Sequence, residues 1–207
     1  MSIKTIFIDF GGVIVKTPNQ NAIQRWKKIL GWQDSPEIEQ MLAEPNESPL
    51  IKEICLGNLP EDALWEKMAE DWGVRSVLIK KLKQRMRSKQ NLNEALLKFV
   101  ASLRSDYQTA ILSNAGDQTR QLMEAHYHLD NYVDEIIISA EEGVIKPDPK
   151  IFEIAMQRLN TTPERSLLLD DYEENVLAAR EFGMLAVQFI DTQQAIREVT
   201  DILNHKE

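Results

Sequence analysis

The sequence predicts an α/β protein: a doubly wound, Rossmann-like parallel sheet interrupted by an inserted all-helical module. Five short apolar runs fit strands, at Ile3 to Ile8, Thr109 to Leu112, Glu135 to Ile138, Ser166 to Leu169 and Leu185 to Ile190. None shows the in–out alternation of a half-exposed strand, and near-continuous apolar runs of this length suit a parallel sheet covered on both faces. From Tyr107 onward the runs alternate with helical stretches, which is the βαβα order of crossover connections. Between the first run and the second lies a long section, from about Pro18 to Asp106, with no strand pattern.

Taken in order, the first run ends in Asp9-Phe10-Gly11-Gly12. Helical patterns follow over Asn21 to Leu30, Ser35 to Leu42, Leu50 to Leu56, Glu61 to Trp72, Val74 to Arg87 and Asn93 to Leu103. The last belongs with the sheet as its crossover helix; the others are too many for a simple crossover and form a second module. The expected division is residues 1–17 and 91–207 for the sheet domain and 18–90 for the insertion. Trp26, Trp32, Trp65 and Trp72 all fall inside the insertion. The plain reading is that they fill a small helical core, and the alternative is that one or two line a pocket. The later helices are Asp117 to His126, Asp148 to Leu159, Glu173 to Phe182 and Thr192 to Leu203. Gly183 sits where a helix ends, and Thr162-Pro163-Glu164 breaks a helix before the fourth strand.

Composition excludes several classes. With 43% apolar and 28% charged residues among 207, the chain has the make-up of a soluble globular protein, not of a disordered or collagen-like one. A net charge of −9 argues against nucleic acid and anionic membrane as partners. The single cysteine, Cys55, cannot form an internal disulfide and reads as a small buried hydrophobe in a reducing compartment. The N-terminal apolar stretch is too short for a signal or a membrane span, so a cytoplasmic protein is expected.

Polar residues gather where the strands end. In an open parallel sheet, ligands bind beyond the carboxyl ends of the strands, near the point where strand order reverses. Here those ends carry Asp9, Ser113-Asn114 and Asp170-Asp171, with Lys146 after the third run. Three carboxylates without thiolates or imidazoles are a ligand set for Mg²⁺. A cation relieves their repulsion and leaves one carboxylate free to act as a nucleophile. Lys146, the Ser113 hydroxyl and backbone N–H groups beside Gly11 and Gly12 offer donors to a dianion. This inventory describes phosphoryl transfer through an aspartyl-phosphate. The −9 charge does not oppose an acidic substrate, because the metal and a few cations dominate the local field.

Four motifs in order resemble the haloacid dehalogenase superfamily: Ile6-Phe7-Ile8-Asp9-Phe10-Gly11-Gly12-Val13, Ile111-Leu112-Ser113-Asn114, Lys146-Pro147-Asp148-Pro149 and Leu168-Leu169-Asp170-Asp171-Tyr172-Glu173-Glu174-Asn175. The resemblance spans nearly the whole chain and places a cap in the insertion. It implies Asp9 as nucleophile and metal ligand, the Gly11 carbonyl as a second ligand, and Asp171 with Asp170 completing a Mg²⁺ site. It implies Ser113 and Lys146 as phosphate holders, with Gly12 and Asn114 beside substrate. Asn175 stands where many relatives have an acid. Gly11 departs from the family, most of whose phosphatases carry an acid/base aspartate there; such proton transfer contributes about a hundred- to ten-thousand-fold in rate. The Asp-x-Gly form with a following Val is similar to the α-glucose-1-phosphate phosphatase-like group. The expected activity is therefore Mg²⁺-dependent hydrolysis of a small phosphorylated metabolite, such as a sugar phosphate. The alternatives are a metal-independent 2-haloacid dehalogenase and a non-catalytic phosphate- or protein-binding module.

Three lesser features complete the reading. The cationic run Arg75, Lys80, Lys81, Lys83, Arg85, Arg87, Lys89 reads as the solvated face of an insertion helix. His126 and His128 read as capping or surface residues. Glu141 and Glu142 precede the Lys146 loop as candidates for a substitute base.

Overall fold

A computed structural model describes residues 2–16, 25, 28, 41, 44–87 and 92–204. Five parallel strands, β1 (Thr5–Ile8), β2 (Gln108–Ser113), β3 (Glu135–Ile138), β4 (Ser166–Asp170) and β5 (Leu185–Gln188), form one sheet in the order β3-β2-β1-β4-β5. The chain builds outward from β1 to β2 and β3, then crosses to β4 on the other side, so the order reverses beside β1. Ile8 pairs with Ile111 on one side and Leu169 on the other, which sets Asp9 level with the ends of both neighbours.

The helices bounded within the described residues are α1 (Pro49–Cys55), α2 (Glu61–Asp71), α3 (Ser76–Met86), α4 (Glu94–Leu103), α5 (Thr119–Gln121, continued by a π turn over Leu122–His126), α6 (Ser139–Glu142), α7 (Pro149–Leu159), α8 (Glu173–Glu181) and α9 (Thr192–Asn204). Local chemistry fixes several starts. Ser48 accepts from the Ile51 N–H at the head of α1, Asn93 from Leu96 at α4, and Asp148 from Lys150 at α7, where Pro149 opens the helix. β5 stops at Gln188, short of the expected Ile190, which is 75% exposed and leads into the next helix.

Successive strand residues enter different cores. Ile6, Ile8 and Ile111 pack with Leu96 and Leu97 of α4 and Val199 of α9, whereas Phe7, Leu112 and Leu168 pack with Phe152 of α7 and Val176 of α8. Both faces are thus covered, which is why no run alternates.

Helices α1 to α3 lie between β1 and α4 in sequence and carry a third apolar cluster with Met68, Trp72, Ile79 and Leu82 buried and Trp65 packed against it. Trp72 and Trp65 fill that core; Trp26, Trp32 and most of the two helices expected over Asn21 to Leu42 lie outside the described residues. These helices contact the sheet domain directly. The Ser139 hydroxyl donates to the Cys55 carbonyl at 2.6 Å, and the Glu61 N–H donates to Asp117 at 2.9 Å. Here the expected solvated cationic face needs correction. Arg75, Lys80, Lys81 and Arg85 are exposed, but Lys83 donates to Asp62 and Gln118 at 2.8 Å each, and Arg87 to Glu61. Those two cations bridge α2, α3 and the turn before α5. His126 accompanies them, its Nε2 standing 2.9 Å from the Arg87 carbonyl.

Candidate active site

Asp9 leaves β1 with its N–H bonded to the Leu169 carbonyl, so its side chain stands at the strand ends between β2 and β4. Asp170 is the last residue of β4 and fully buried. Lys146 reaches in from the loop after α6. Its Nζ donates to Asp9 Oδ1 at 2.7 Å, Asp170 Oδ2 at 2.6 Å and the Leu112 carbonyl at 2.7 Å. An ammonium has three N–H donors, and here all three are occupied.

Asp171 completes an acidic cluster. One carboxylate oxygen from each of Asp9, Asp170 and Asp171 lies within 4.8 Å of the others. Burial, with further repulsion from Asp170 and Asp171, pushes the Asp9 carboxyl up to about 7 against the opposing pull of Lys146. Burial and Asp170 likewise raise Asp171. The two carboxylates Asp170 and Asp9 hold Lys146 charged despite its burial. Three converging acids with one ammonium leave negative charge uncompensated. An all-oxygen set of this kind fits a hard divalent cation such as Mg²⁺.

Several residues at the site hold others in place. The Asn114 amide donates to the Lys146 carbonyl and accepts from the Lys146 N–H, both at 2.8 Å, so it fixes the Lys146 backbone. Asn175 donates to both oxygens of Asp170, at 3.0 and 3.2 Å. The Tyr172 N–H donates to Asp170 Oδ1 at 2.9 Å, while the Tyr172 hydroxyl donates to Glu47, just before α1, at 3.1 Å.

A cavity of about 430 Å³ opens over these groups and includes Asp9, Gly11, Asn114, Lys146, Asp170 and Asp171 in its walls. Ser113 is buried at the end of β2, 3% exposed. The Gly12 N–H donates to the Val15 carbonyl at 2.8 Å, so that group is engaged within the turn after β1. Glu141 and Glu142 are also removed as substitute bases, since Arg120 and Arg158 pair with them outside the cavity. The opposite wall comes from α1 and the turn before it, with Asn46, Glu47, Ile51, Lys52 and Cys55. Sequence reading assigned none of these to the site; Cys55 alone was singled out, as a small buried hydrophobe. Ile51 and Cys55, four apart, share a helix face, the one available signal. Burial, with the carboxylates of Glu61 and Asp9, pushes the Cys55 thiol up to about 11.

The family model of haloacid dehalogenase-like hydrolases matches residues 3–183. D-ribitol-5-phosphate phosphatase of Bacteroides thetaiotaomicron is 27% identical over 209 residues, covering 98% of this chain and 99% of its own. The structure of a predicted HAD-like family hydrolase from Porphyromonas gingivalis superposes with a TM-score of 0.78 at 23% identity over the full length of both chains. A HAD family enzyme of Bacteroides thetaiotaomicron, solved with magnesium and inorganic phosphate, gives 0.72 at 23% identity over 90% of this chain and 94% of the other. Among the described residues, no helix is long and apolar enough to cross a membrane.

Proposed function

We propose, for a chain that belongs to the haloacid dehalogenase-like hydrolases, a Mg²⁺-dependent phosphatase that hydrolyses a small phosphorylated metabolite through an aspartyl-phosphate on Asp9. The observation that carries this reading is the arrangement of Asp9 between Lys146 and two further carboxylates at the floor of the cavity. The likeness of the whole chain to a ribitol-5-phosphate phosphatase supports a phosphate monoester as substrate.

Asp9, Asp170 and Asp171 would hold the cation, with the Gly11 carbonyl as a further ligand. Bound there, Mg²⁺ supplies charge for the phosphoryl oxygens and keeps Asp9 ionised. The Asp9 carboxylate attacks phosphorus, the bond from phosphorus to the leaving oxygen breaks, and that oxygen departs with the electron pair. Water then attacks the same phosphorus, returning Asp9 and releasing phosphate. Lys146 orients Asp9 by one N–H and Asp170 by another, so the nucleophile needs little reorganisation. Gly11 carries no proton for the leaving oxygen, which favours leaving groups of low basicity such as an anomeric sugar oxygen. Helices α1 to α3 serve as the cap that closes the cavity.

Turnover of p-nitrophenyl phosphate with Mg²⁺ and with EDTA tests the reading, with Asp9→Asn as control. Loss of about a thousand-fold or more in the variant and in EDTA is expected. A variant as active as the wild type would sink it. Chloride release from 2-chloropropionate in EDTA would instead establish a dehalogenase, and Mg²⁺-dependent binding of beryllofluoride without turnover of any ester a binding module.

A further inference from the structure

Ser139, the first residue of α6, is fully buried and takes no part in the chemistry proposed for Asp9. Its hydroxyl donates to the Cys55 carbonyl at 2.6 Å, while its oxygen accepts the Ala115 N–H at 3.0 Å. The Ala115 carbonyl is a longer alternative at 3.3 Å, and it already accepts from the Ala140 N–H. One side chain thus joins the loop that follows Ser113 and Asn114 to the last turn of α1. The Cys55 carbonyl is among those that a helix leaves unpaired at its C-terminal end, so its partner has to come from outside α1.

Backbone contact reinforces this junction. A Cβ on Gly57, which has φ +76°, would stand 2.4 Å from the Ala140 carbonyl oxygen, and one on Gly116 would stand 2.8 Å from Cγ2 of Ile54. The end of α1 is therefore seated on α6 and on the loop after β2 with no room for a side chain. Other bonds cross from the segment around α1 and α2 to the sheet domain, such as Glu61 to Asp117 and Tyr172 to Glu47, but these two are exposed. Water can replace them. The Ser139 bond is buried, and its loss leaves a buried carbonyl without a partner.

We infer that Ser139 is a positioning residue: by holding the last turn of α1 against the loop after β2, it sets the distance between the phosphate-binding floor and the wall of Ile51 and Cys55 that meets the leaving group. The floor has supports of its own. Ser113 pairs with Ile138 in the sheet, Asn114 grips the Lys146 backbone, and Asp9, Asp170 and Leu112 hold the Lys146 ammonium. Removing the Ser139 hydroxyl therefore shifts the wall and spares the floor, which separates contact with the leaving group from contact with phosphate. The inference rests on the phosphatase reading above and adds to it a residue outside the four motifs.

The test measures p-nitrophenyl phosphate turnover with Mg²⁺ together with inhibition by inorganic phosphate, which touches the floor alone. Ser139→Ala is expected to raise KM about ten-fold, the effect of one buried hydrogen bond, with kcat and the phosphate inhibition constant each within about two-fold of the wild type. Ser139→Thr, which keeps the hydroxyl, should restore KM. Should Ser139→Ala not fold, Gly57→Ala decides, since its Cβ pushes α1 off α6 at the same junction and should give the same pattern. A parallel rise in KM and in the phosphate inhibition constant, or a fall in kcat alone, is what general loosening of the fold would produce and would overturn the inference. An unchanged KM in the deciding variant would overturn it too. Each of these outcomes leaves the phosphatase reading standing, whereas a wild type without turnover would remove that reading and the inference with it.

Discussion

A Cβ on Gly12 would stand 1.9 Å from Oδ2 of Asp171, so the turn after β1 and the turn after β4 meet where only a hydrogen fits. Gly12 also has φ +80°, a conformation that side chains disfavour. Gly12→Ala is therefore expected to displace Asp171 from the acidic cluster and to cost about 1–3 kcal/mol in stability. Isothermal titration should show weakened Mg²⁺ binding, and denaturant unfolding the lower midpoint. Unchanged metal affinity would mean that Asp171 is not a ligand.

Gly11 presents the opposite case. A Cβ there meets nothing within 4 Å, and its φ is ordinary. Gly11→Asp should fold normally and place a proton donor at the cavity edge. Turnover of alkyl phosphates should rise relative to p-nitrophenyl phosphate by about a hundred-fold, the low end of general acid catalysis. An unchanged ratio would show that protonation of the leaving oxygen does not limit the wild type.

Removing Lys146 should leave Asp9 and Asp170 buried without their shared cation. Lys146→Met is expected to lower stability by about 3–5 kcal/mol. Millimolar Mg²⁺ should restore part of that loss, because a cation at the cluster answers the same charge. Urea midpoints measured with and without Mg²⁺ check both statements.

Much of this site was legible from residues at strand ends. Asp9, Asp170 and Asp171 converge because parallel strands deliver their carboxyl ends to one edge, and the apolar runs marked those ends; Lys146 joins them from the loop after α6. What the sequence concealed were contacts made across elements. Asn175 looked like a replaced acid, yet it donates to both oxygens of Asp170. Asn114 was read as a contact to substrate or to the nucleophile loop; it lines the cavity, and its amide also grips the Lys146 backbone, which no motif showed. Lys83 and Arg87 looked solvated, because nothing local shows that α3 faces Glu61 and Gln118. Glu47 and Lys52 carried no motif at all; docking of α1 over the sheet brings them to the cavity.

Asp134 offers a pH test away from the site. Burial pushes its carboxyl up, but bonds from the Thr109 N–H at 2.8 Å, from Arg104 at 3.0 Å and from the Thr109 hydroxyl at 3.1 Å outweigh burial and hold it below the usual carboxylate range. A depressed folded value gives stability that is present above the unfolded carboxylate value and is lost as pH falls through the folded one. Asp134→Asn should cost about 1 kcal/mol at pH 7, limited by solvent screening, and progressively less below about pH 4. Urea midpoints at pH 7 and pH 3 decide it, and an equal loss at both would remove the charge from the explanation.

The central claim is a phosphoryl group carried on Asp9. Acid quench after rapid mixing with Mg²⁺ and an aryl phosphate, followed by peptide mass spectrometry, measures it directly. The account predicts one added phosphoryl group on the peptide containing Asp9, absent in EDTA and in Asp9→Asn. Steady turnover in the wild type with the label on another residue, or turnover that survives in Asp9→Asn, would contradict it.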